Sequence, residues 1–421
     1  MQESRLQNHR SRSVTLFFPI SLILFEFAAY LTNDMVQPGI IDIVKEFNAD
    51  VSLAPASISV YMAGGMILQW LLGPLSDRIG RRPVLLTGAL LFTLGCIATL
   101  FTHNMEQYLL TRFIQGTSMC FIATVGYVAV QEVFGEKDGV KMMGLITSVT
   151  LIAPIIGPLA GAAFIQIAHW KGMFALIALL ALAASIGLWR NMPETVTAKR
   201  GTFSLAGIAT DFKQVFRSPC FLAGAFAISC AYIPMMSWVA TSPVILIDDG
   251  GLSSAQYAWT QVPIFVAVIL GSLMVAKLVG EQPSDRILWA GLPIQLVGLS
   301  VALLGNLFIP HVWAWSIIGI SLYAFGIGMT FPILFRRTLF SSSSPKGTVS
   351  ASLNIIVLST IALSIELGRW IYQHGNKELF HSMGLVAGVL SLIFLVRFLR
   401  LLKKNDGTQD LLKQPNEEAQ G

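Results

Sequence analysis

Two carboxylates and one guanidinium occupy positions in this chain that call for chemistry. Glu26 and Asp34 lie inside the apolar run VTLFFPISLILFEFAAYLTNDMVQPGII, and Arg112 lies inside another, at TRFIQGTS. A carboxylate at bilayer depth costs roughly 2.5 to 3.5 kcal/mol even on the lenient insertion scale, so such groups face a bundle interior or a water-filled cavity and handle protons or substrates. The competing reading makes the carboxylates helix-end or structurally paired charges, and Arg112 a snorkelling side chain near a membrane surface. Glu26 stands about 18 Å into its run at helical rise, whereas Asp34 approaches the far surface. At ~100° per residue the two differ by about 80° around a helix axis and by about 12 Å along it, so they can line one cavity without sharing a proton. Arg112 enters its run from the end that matches Asp34 in depth. A neighbouring guanidinium favours an ionised carboxylate while desolvation favours the neutral form, and that competition lets a site release and recapture a proton.

Such residues need membrane helices to hold them, and the composition supplies these. Of 421 residues 54% are hydrophobic and only 12% charged, with a mean hydropathy of +0.68, a balance foreign to ordinary soluble domains. Cys96, Cys120, Cys220 and Cys230 fall in or beside apolar stretches without CxxC spacing, so neither a disulfide framework nor a metal site is expected. The net charge of +5 comes from basic residues scattered among short connections, which reads as membrane topology and not as a nucleic-acid surface.

Twelve apolar segments are each long enough to cross a hydrocarbon layer about 30 Å thick. They run approximately over 14–36, 53–75, 83–102, 106–134, 142–167, 172–190, 221–247, 256–279, 287–309, 312–335, 347–371 and 380–401. The first comes after Arg5, Arg10 and Arg12 like a signal peptide, but it carries Glu26 and Asp34 and lacks a small-residue cleavage site, so it is read as a retained span. Alternate connections hold Arg78, Arg81 and Arg82; Lys137 and Lys141; Arg190, Lys199, Arg200, Lys213 and Arg217; Lys277 and Arg286; and Arg336, Arg337 and Lys346. The opposite side holds only Lys45, Lys171, Arg369 and Lys377, so both termini are expected in the cytoplasm. The expected domains are an amino-terminal segment 1–13, a six-helix bundle 14–190, a central cytoplasmic loop 191–220, a second six-helix bundle 221–401 and a polar, disordered tail 402–421. LSDRIG at 75–80 and VAKLVG at 275–280 are a faint internal echo, with Gly80 and Gly280 as counterparts. An all-α membrane fold of two pseudo-symmetric halves places its site between them near the midplane.

Three motifs refine this plan. GPLSDRIGRRP, between the second and third spans, contains Gly73, Asp77, Arg78, Gly80, Arg81 and Arg82. Its glycines permit close approach and a tight turn, Asp77 can pair with a guanidinium or cap a helix, and Glu132 at the end of the fourth span offers a further partner for an arginine. Together they form a gate latch. APIIGPLAG repeats small residues at Ala153, Gly157 and Gly161, a stripe for close helix contact, while Pro154 and Pro158 bend the helix. Tyr30, Phe121, Tyr127, Met235, Met236 and Trp238 offer an adaptable wall for many shapes, against the simpler reading of packing or lipid contact.

The first two motifs, with Arg112 and Gly116 as an RxxxG pair, YAFGIG at 323–328 and PKGTVSASLN at 345–354, resemble the bacterial multidrug/proton antiporters of the major facilitator superfamily over nearly the whole chain. Ala153 and Ala160 depart from glycines of the antiporter signature that the fifth span resembles. The resemblance implies proton-driven efflux of lipophilic cations and neutral drugs by a monomer in the bacterial inner membrane. It requires no cofactor beyond the proton motive force. It also implies functional roles for Glu26, Asp34 and Arg112, with Tyr30 and Asn33 lining the cavity, and for some relatives exchange of Na+ or K+ for protons. A proton-coupled nutrient symporter of the same fold and a non-transporting membrane sensor are the alternatives. No metal cluster, nucleophile motif or phosphate loop points to an enzyme, and His103, His169, His311 and His374 fall near span ends.

Overall fold

A computed structural model describes residues 2–196, 205–279, 281–309, 312–342, 344–375 and 377–417. Lys199, Arg200, Gly280 and His311 lie outside these residues, as do the side chains of Arg5, Arg10, Arg12, Lys137, Lys141 and Lys413. The described chain is built of helices in this order: α1 Gln2–Asp34, α2 Ile40–Glu46, α3 Ala56–Ile67, α4 Gln69–Ile79, α5 Arg81–Thr99, α6 Met105–Phe121, α7 Tyr127–Ile165, α8 Lys171–Asn191, α9 Leu205–Arg217, α10 Pro219–Pro243, α11 Ser254–Leu278, α12 Ser284–Phe308, α13 Ala314–Leu339, α14 Lys346–His374 and α15 Lys377–Glu417. Among the described residues nine helical segments are long and apolar enough to cross a membrane, and the bent pair Val51–Ile67 and Gln69–Ile79, with 43° between its arms, makes a tenth. The remaining two expected spans fall on α1, which holds the embedded carboxylates, and on the shorter apolar stretch Ile152–Ile165.

Four local expectations change. The fourth and fifth spans are not separated by a loop: α7 is continuous over Tyr127–Ile165, because Gly135 and Gly139 weaken a helix by only about 1 kcal/mol each without breaking it. The central connection contains α9, whose Ile208, Phe212, Val215 and Phe216 recur at helical spacing. The carboxyl-terminal tail is helical to Glu417 and not disordered, since extending an existing helix avoids a new nucleation cost. The amino-terminal segment likewise continues α1 outward to Gln2.

Contacts group the chain into two compact units. One comprises Met1–Ser204, Met236–Val266 and Ile361–Lys377, the other Leu205–Met235, Ala267–Thr360 and Glu378–Gly421. The core of the first is built on Phe18, Leu22, Phe25, Phe92, Tyr108 and Phe174, and that of the second on Phe221, Leu288, Leu353 and Phe398. Within the second unit α12 and α13 lie close because a side chain on Gly298 would strike the Tyr323 amide nitrogen at 2.4 Å and one on Gly319 the Ala302 nitrogen at 2.5 Å. Gln295 spans the same contact, donating to the Gly326 carbonyl at 3.0 Å and the Thr330 hydroxyl at 2.7 Å. Among the described residues two single π-helical turns interrupt the spans, Ile122–Gly126 between α6 and α7 and Val244–Asp248 after α10. A π turn adds one residue, so it rotates the downstream helix by about 100° relative to an uninterrupted one.

Candidate functional site: a pinned guanidinium beside two buried carboxylates

Arg112 occupies α6 where that helix presses on α3. The approach depends on two glycines: a Cβ on Gly64 would meet the Phe113 carbonyl oxygen at 2.2 Å, and one on Gly116 the Tyr61 carbonyl oxygen at 2.0 Å. Gly116, at the end of the RxxxG pattern, therefore brings Tyr61 under the guanidinium, whose carbon lies 4.6 Å from the ring centroid. The Tyr61 hydroxyl donates in turn to the Ala29 carbonyl of α1 at 3.0 Å.

The guanidinium is fully buried, with 0% exposure, and every nitrogen has an acceptor. Nε donates to the Ser57 Oγ at 3.2 Å, one terminal nitrogen to the Thr32 carbonyl at 3.0 Å and the Gln115 Oε1 at 2.8 Å, and the other to the Asn33 Oδ1 at 3.3 Å. The acceptors are themselves anchored. Gln115 donates to the Thr99 hydroxyl at 2.8 Å and the Gly95 carbonyl at 3.1 Å, and Ser57 pairs with the Tyr108 hydroxyl at 3.0 Å. Arg112 is thus a fixed cation and not a snorkelling side chain, its planar fork matched by oriented acceptors.

Asp34 does not touch Arg112 directly. Asn33 stands between them, accepting from the guanidinium and donating its amide to the Asp34 Oδ1 at 3.3 Å. The second carboxylate oxygen, Oδ2, is buried with no hydrogen-bond partner among the described residues, and Asp34 as a whole is 6% exposed. A buried carboxylate oxygen left open is costly, and a bound proton would relieve that cost.

The small-residue stripe of α7 packs against this same carboxylate. A Cβ on Gly157 would lie 2.5 Å from the Asp34 Cβ, and one on Gly161 only 1.9 Å from the Met35 carbonyl oxygen. Ala153, one turn earlier, is fully buried, and Pro158 is buried beside it while Pro154 is half-buried. The prolines remove backbone donors from the turns that face α1, so the helix–helix contact and the Asp34 environment move together.

Glu26 lies deeper on α1 and is 1% exposed. Its Oε1 accepts from the Tyr127 hydroxyl at 2.6 Å. Tyr127 is the first residue after the π turn Ile122–Gly126, and that extra residue sets the face of α7 it presents. Tyr30, one turn after Glu26, is half-buried.

The residues expected in the wall differ in burial. Phe121 is buried, and its ring fills the space where a Cβ on Gly88 of α5 would stand. Along α10, Trp238 is completely buried, Met235 is buried and Met236 is half-buried.

The gate loop assembles around Arg81. Its guanidinium pairs with Asp77 and with Glu132 at 3.2 Å, and donates to the Ser76 hydroxyl. Gly80 has φ of +109°, which favours glycine strongly. Gly73 carries no such constraint, because a Cβ there would find only the Thr124 methyl at 3.6 Å, so the close approach expected at that position is absent. Arg82 donates to the Trp189 carbonyl at 2.6 Å, and Arg78 is exposed on the same loop. Glu194, unremarked in the sequence, accepts the backbone amides of Arg81 at 2.9 Å and Arg82 at 3.3 Å and so caps α5.

Sequence reasoning missed more. Gln115, Ser57, Thr32 and Tyr61 hold Arg112; the polar Gln115, one turn from Arg112 in an apolar helix, was the available signal. Glu366, on α14, is a further carboxylate within an expected span, five residues from its end, and the rule that singled out Glu26 applied to it.

The Major Facilitator Superfamily model matches residues 22–365. The chain is 57% identical over 404 residues to the multidrug resistance protein MdtM of Salmonella typhimurium, covering 96% of this chain and 98% of that protein. It is 57% identical over 397 residues to MdtM of Escherichia coli K12, covering 94% of this chain and 97% of the relative. The multidrug transporter MdfA of Edwardsiella ictaluri is 46% identical over 400 residues, covering 94% of this chain and 98% of its own. Among solved structures, the human organic anion transporter MFSD10 matches with a TM-score of 0.67 at 16% identity, covering 91% of this chain and 99% of its own. A bacterial homologue of the human lysosomal transporter Spinster matches with a TM-score of 0.61 at 13% identity, covering 92% and 95% respectively.

Proposed function

The chain belongs to the major facilitator superfamily, and from that premise we propose that it is a proton-coupled multidrug exporter. It is a multi-pass membrane protein, and it moves lipophilic cationic and neutral drugs out of the cytoplasm in exchange for protons. The curated relatives named above are multidrug resistance proteins and transporters over almost their full lengths. The observation that carries the coupling is the open Oδ2 of Asp34 beside a fully bonded Arg112.

The fixed guanidinium and the Asn33 amide stabilise an ionised Asp34, whereas burial opposes it. A small rearrangement along the α1–α7 contact therefore changes whether Asp34 holds a proton. Glu26, bonded to Tyr127, supplies a second buried negative charge that attracts a cation. A cationic drug and a proton compete for these carboxylates, and that exclusion couples their fluxes. Twelve spans, both termini in the cytoplasm, the division into six plus six about residues 191–220, an inner-membrane location and a monomeric state complete the reading. Exchange of Na+ or K+ at the same carboxylates is part of it.

The test is proton-driven uptake of tetraphenylphosphonium and chloramphenicol into inverted vesicles, beside drug susceptibility of a sensitive host expressing the chain. Uptake of both that collapses with a protonophore is expected. Uptake that needs a proton gradient of the opposite direction would mark the symporter instead.

A further inference from the structure

Within the second compact unit the ends of three helices enclose a cavity of about 520 Å³, a size that suits a small ligand. Val275 and Val279, at the end of α11, and Pro332 and Phe340, at the end of α13, form its apolar wall. Ser284, the first residue of α12, supplies a polar edge together with Arg336 and Arg337. Part of the wall is bare, since Val279 is 48% and Phe340 62% exposed. Ser254–Leu278, Ser284–Phe308 and Ala314–Leu339 are each long and apolar enough to cross a membrane. The cavity therefore lies at the level where spans end and lipid headgroups begin. Trp289, near the start of α12, is also exposed, as aromatic residues at that level of a bilayer commonly are.

Charge at this end is positive. The segments 275–286 and 332–346 hold Lys277, Arg286, Arg336, Arg337 and Lys346 against only Glu281 and Asp285. Asp285 is already taken up by Arg337. Arg286 donates to the Gln282 Oε1 at 2.9 Å, and Lys346 lies 4.9 Å from the centroid of the Phe340 ring. Arg336 is exposed at the cavity, and among the described residues its guanidinium has neither an ion pair nor a hydrogen-bond partner. A guanidinium at the rim of an apolar cavity fits an anion with an apolar body, and its planar fork matches phosphate oxygens. A lipophilic cation is repelled by the same residues, and inorganic phosphate leaves the apolar wall uncovered.

We propose that this cavity seats the headgroup of an anionic phospholipid, with Arg336 on the phosphate and the upper part of an acyl chain along Val279, Pro332 and Phe340. Basic pockets between membrane helices bind such headgroups through this combination of charge and apolar cover. Ser284 adds a hydroxyl to the same rim. The site is opposite in sign to the region of Glu26 and Asp34: it selects anions, and its residues all belong to the second unit. The assignment needs only a chain that spans a membrane, and it stands whichever substrate the carrier moves. A lipid held there touches the ends of both α11 and α13, so its binding stabilises the folded chain.

The test is native mass spectrometry of the purified full chain in detergent, titrated separately with dioleoylphosphatidylglycerol and dioleoylphosphatidylethanolamine, and with glycerol 3-phosphate as the soluble headgroup. The wild type should bind the phosphatidylglycerol at least about fivefold more tightly than the phosphatidylethanolamine. Arg336→Gln should weaken phosphatidylglycerol binding by at least about fivefold, and Val279→Trp, which fills the cavity, by as much, whereas Arg286→Gln, outside the lining, should weaken it by less than about twofold. Unfolding temperatures in lipid-free detergent should match the wild type, so that lost affinity reports the cavity and not the fold. Should Val279→Trp unfold, the comparison of Arg336→Gln with Arg286→Gln decides alone. Undiminished binding by Arg336→Gln overturns the assignment, as does an equal loss in Arg286→Gln, which would mark diffuse surface charge. Displacement of the lipid by an equal concentration of glycerol 3-phosphate also overturns it, since the site would then belong to a free phosphate.

Discussion

Glu26 and Asp34 share one helix and are both buried, yet different groups meet them. Asp34 stands in a crowded place, bridged through Asn33 to a guanidinium whose nitrogens are all bonded and pressed from behind by Gly157. Glu26 has the Tyr127 hydroxyl on one oxygen, beside a half-buried tyrosine at position 30. The first environment is rigid and changes only as a unit, which suits a proton whose affinity must switch with conformation. The second offers a carboxylate bonded to a tyrosine hydroxyl, which suits attraction of a cationic ligand.

The largest effect should come from removing the pinned cation. Arg112→Met leaves Gln115, Ser57 and the Thr32 carbonyl buried without their donor, and a lost partner of this kind costs about 3 to 5 kcal/mol. Proton-driven uptake should fall by about a hundredfold or more, and Arg112→Lys should restore little of it, since an ammonium cannot reproduce the planar fork. Near-normal uptake in Arg112→Lys would show that charge alone matters there and erase the contrast between the two sites.

The stripe comes next. Gly161→Leu and Gly157→Leu drive a side chain into the Met35 carbonyl and the Asp34 Cβ respectively. Turnover should drop at least tenfold in membrane-inserted protein, while equilibrium drug binding drops less. Equal losses in binding and uptake would move the stripe from the conformational machinery into the substrate site.

A smaller and selective effect belongs to Glu26→Gln. Uptake of tetraphenylphosphonium should weaken about tenfold, as about 1.4 kcal/mol of lost attraction implies, with chloramphenicol changed by no more than about twofold. Equal loss for both would place Glu26 with Asp34 in proton handling. The smallest effect is expected at Gly73→Ala, whose added methyl makes only ordinary contact with Thr124. Thermal stability and uptake should both stay close to wild type, within about 0.5 kcal/mol, while Gly80→Ala, at positive φ, should lower both.

The asymmetry between the carboxylates was half visible in the sequence. Embedded charge in an apolar run marks Glu26, Asp34 and Arg112, because that cost is local and reads from composition alone. The resemblance of the gate loop and the α7 stripe then located the family. Neither signal could show that Asn33 separates Asp34 from Arg112, or that Phe121 fills the space above Gly88, since these depend on how α1, α5 and α6 approach one another. The helix boundaries failed where propagation outlasts polarity, at α7 and at the tail of α15. Glu366 was missed although the same cost applied to it.

The central claim is that drug and proton exclude one another at the α1 carboxylates. The direct measurement is proton release into a weakly buffered solution when purified protein binds tetraphenylphosphonium. The account predicts release of about one proton for each drug bound by the wild type at pH near 7, and loss of that release in Asp34→Asn with binding retained. Binding by the wild type without proton release, or undiminished release from Asp34→Asn, would contradict it.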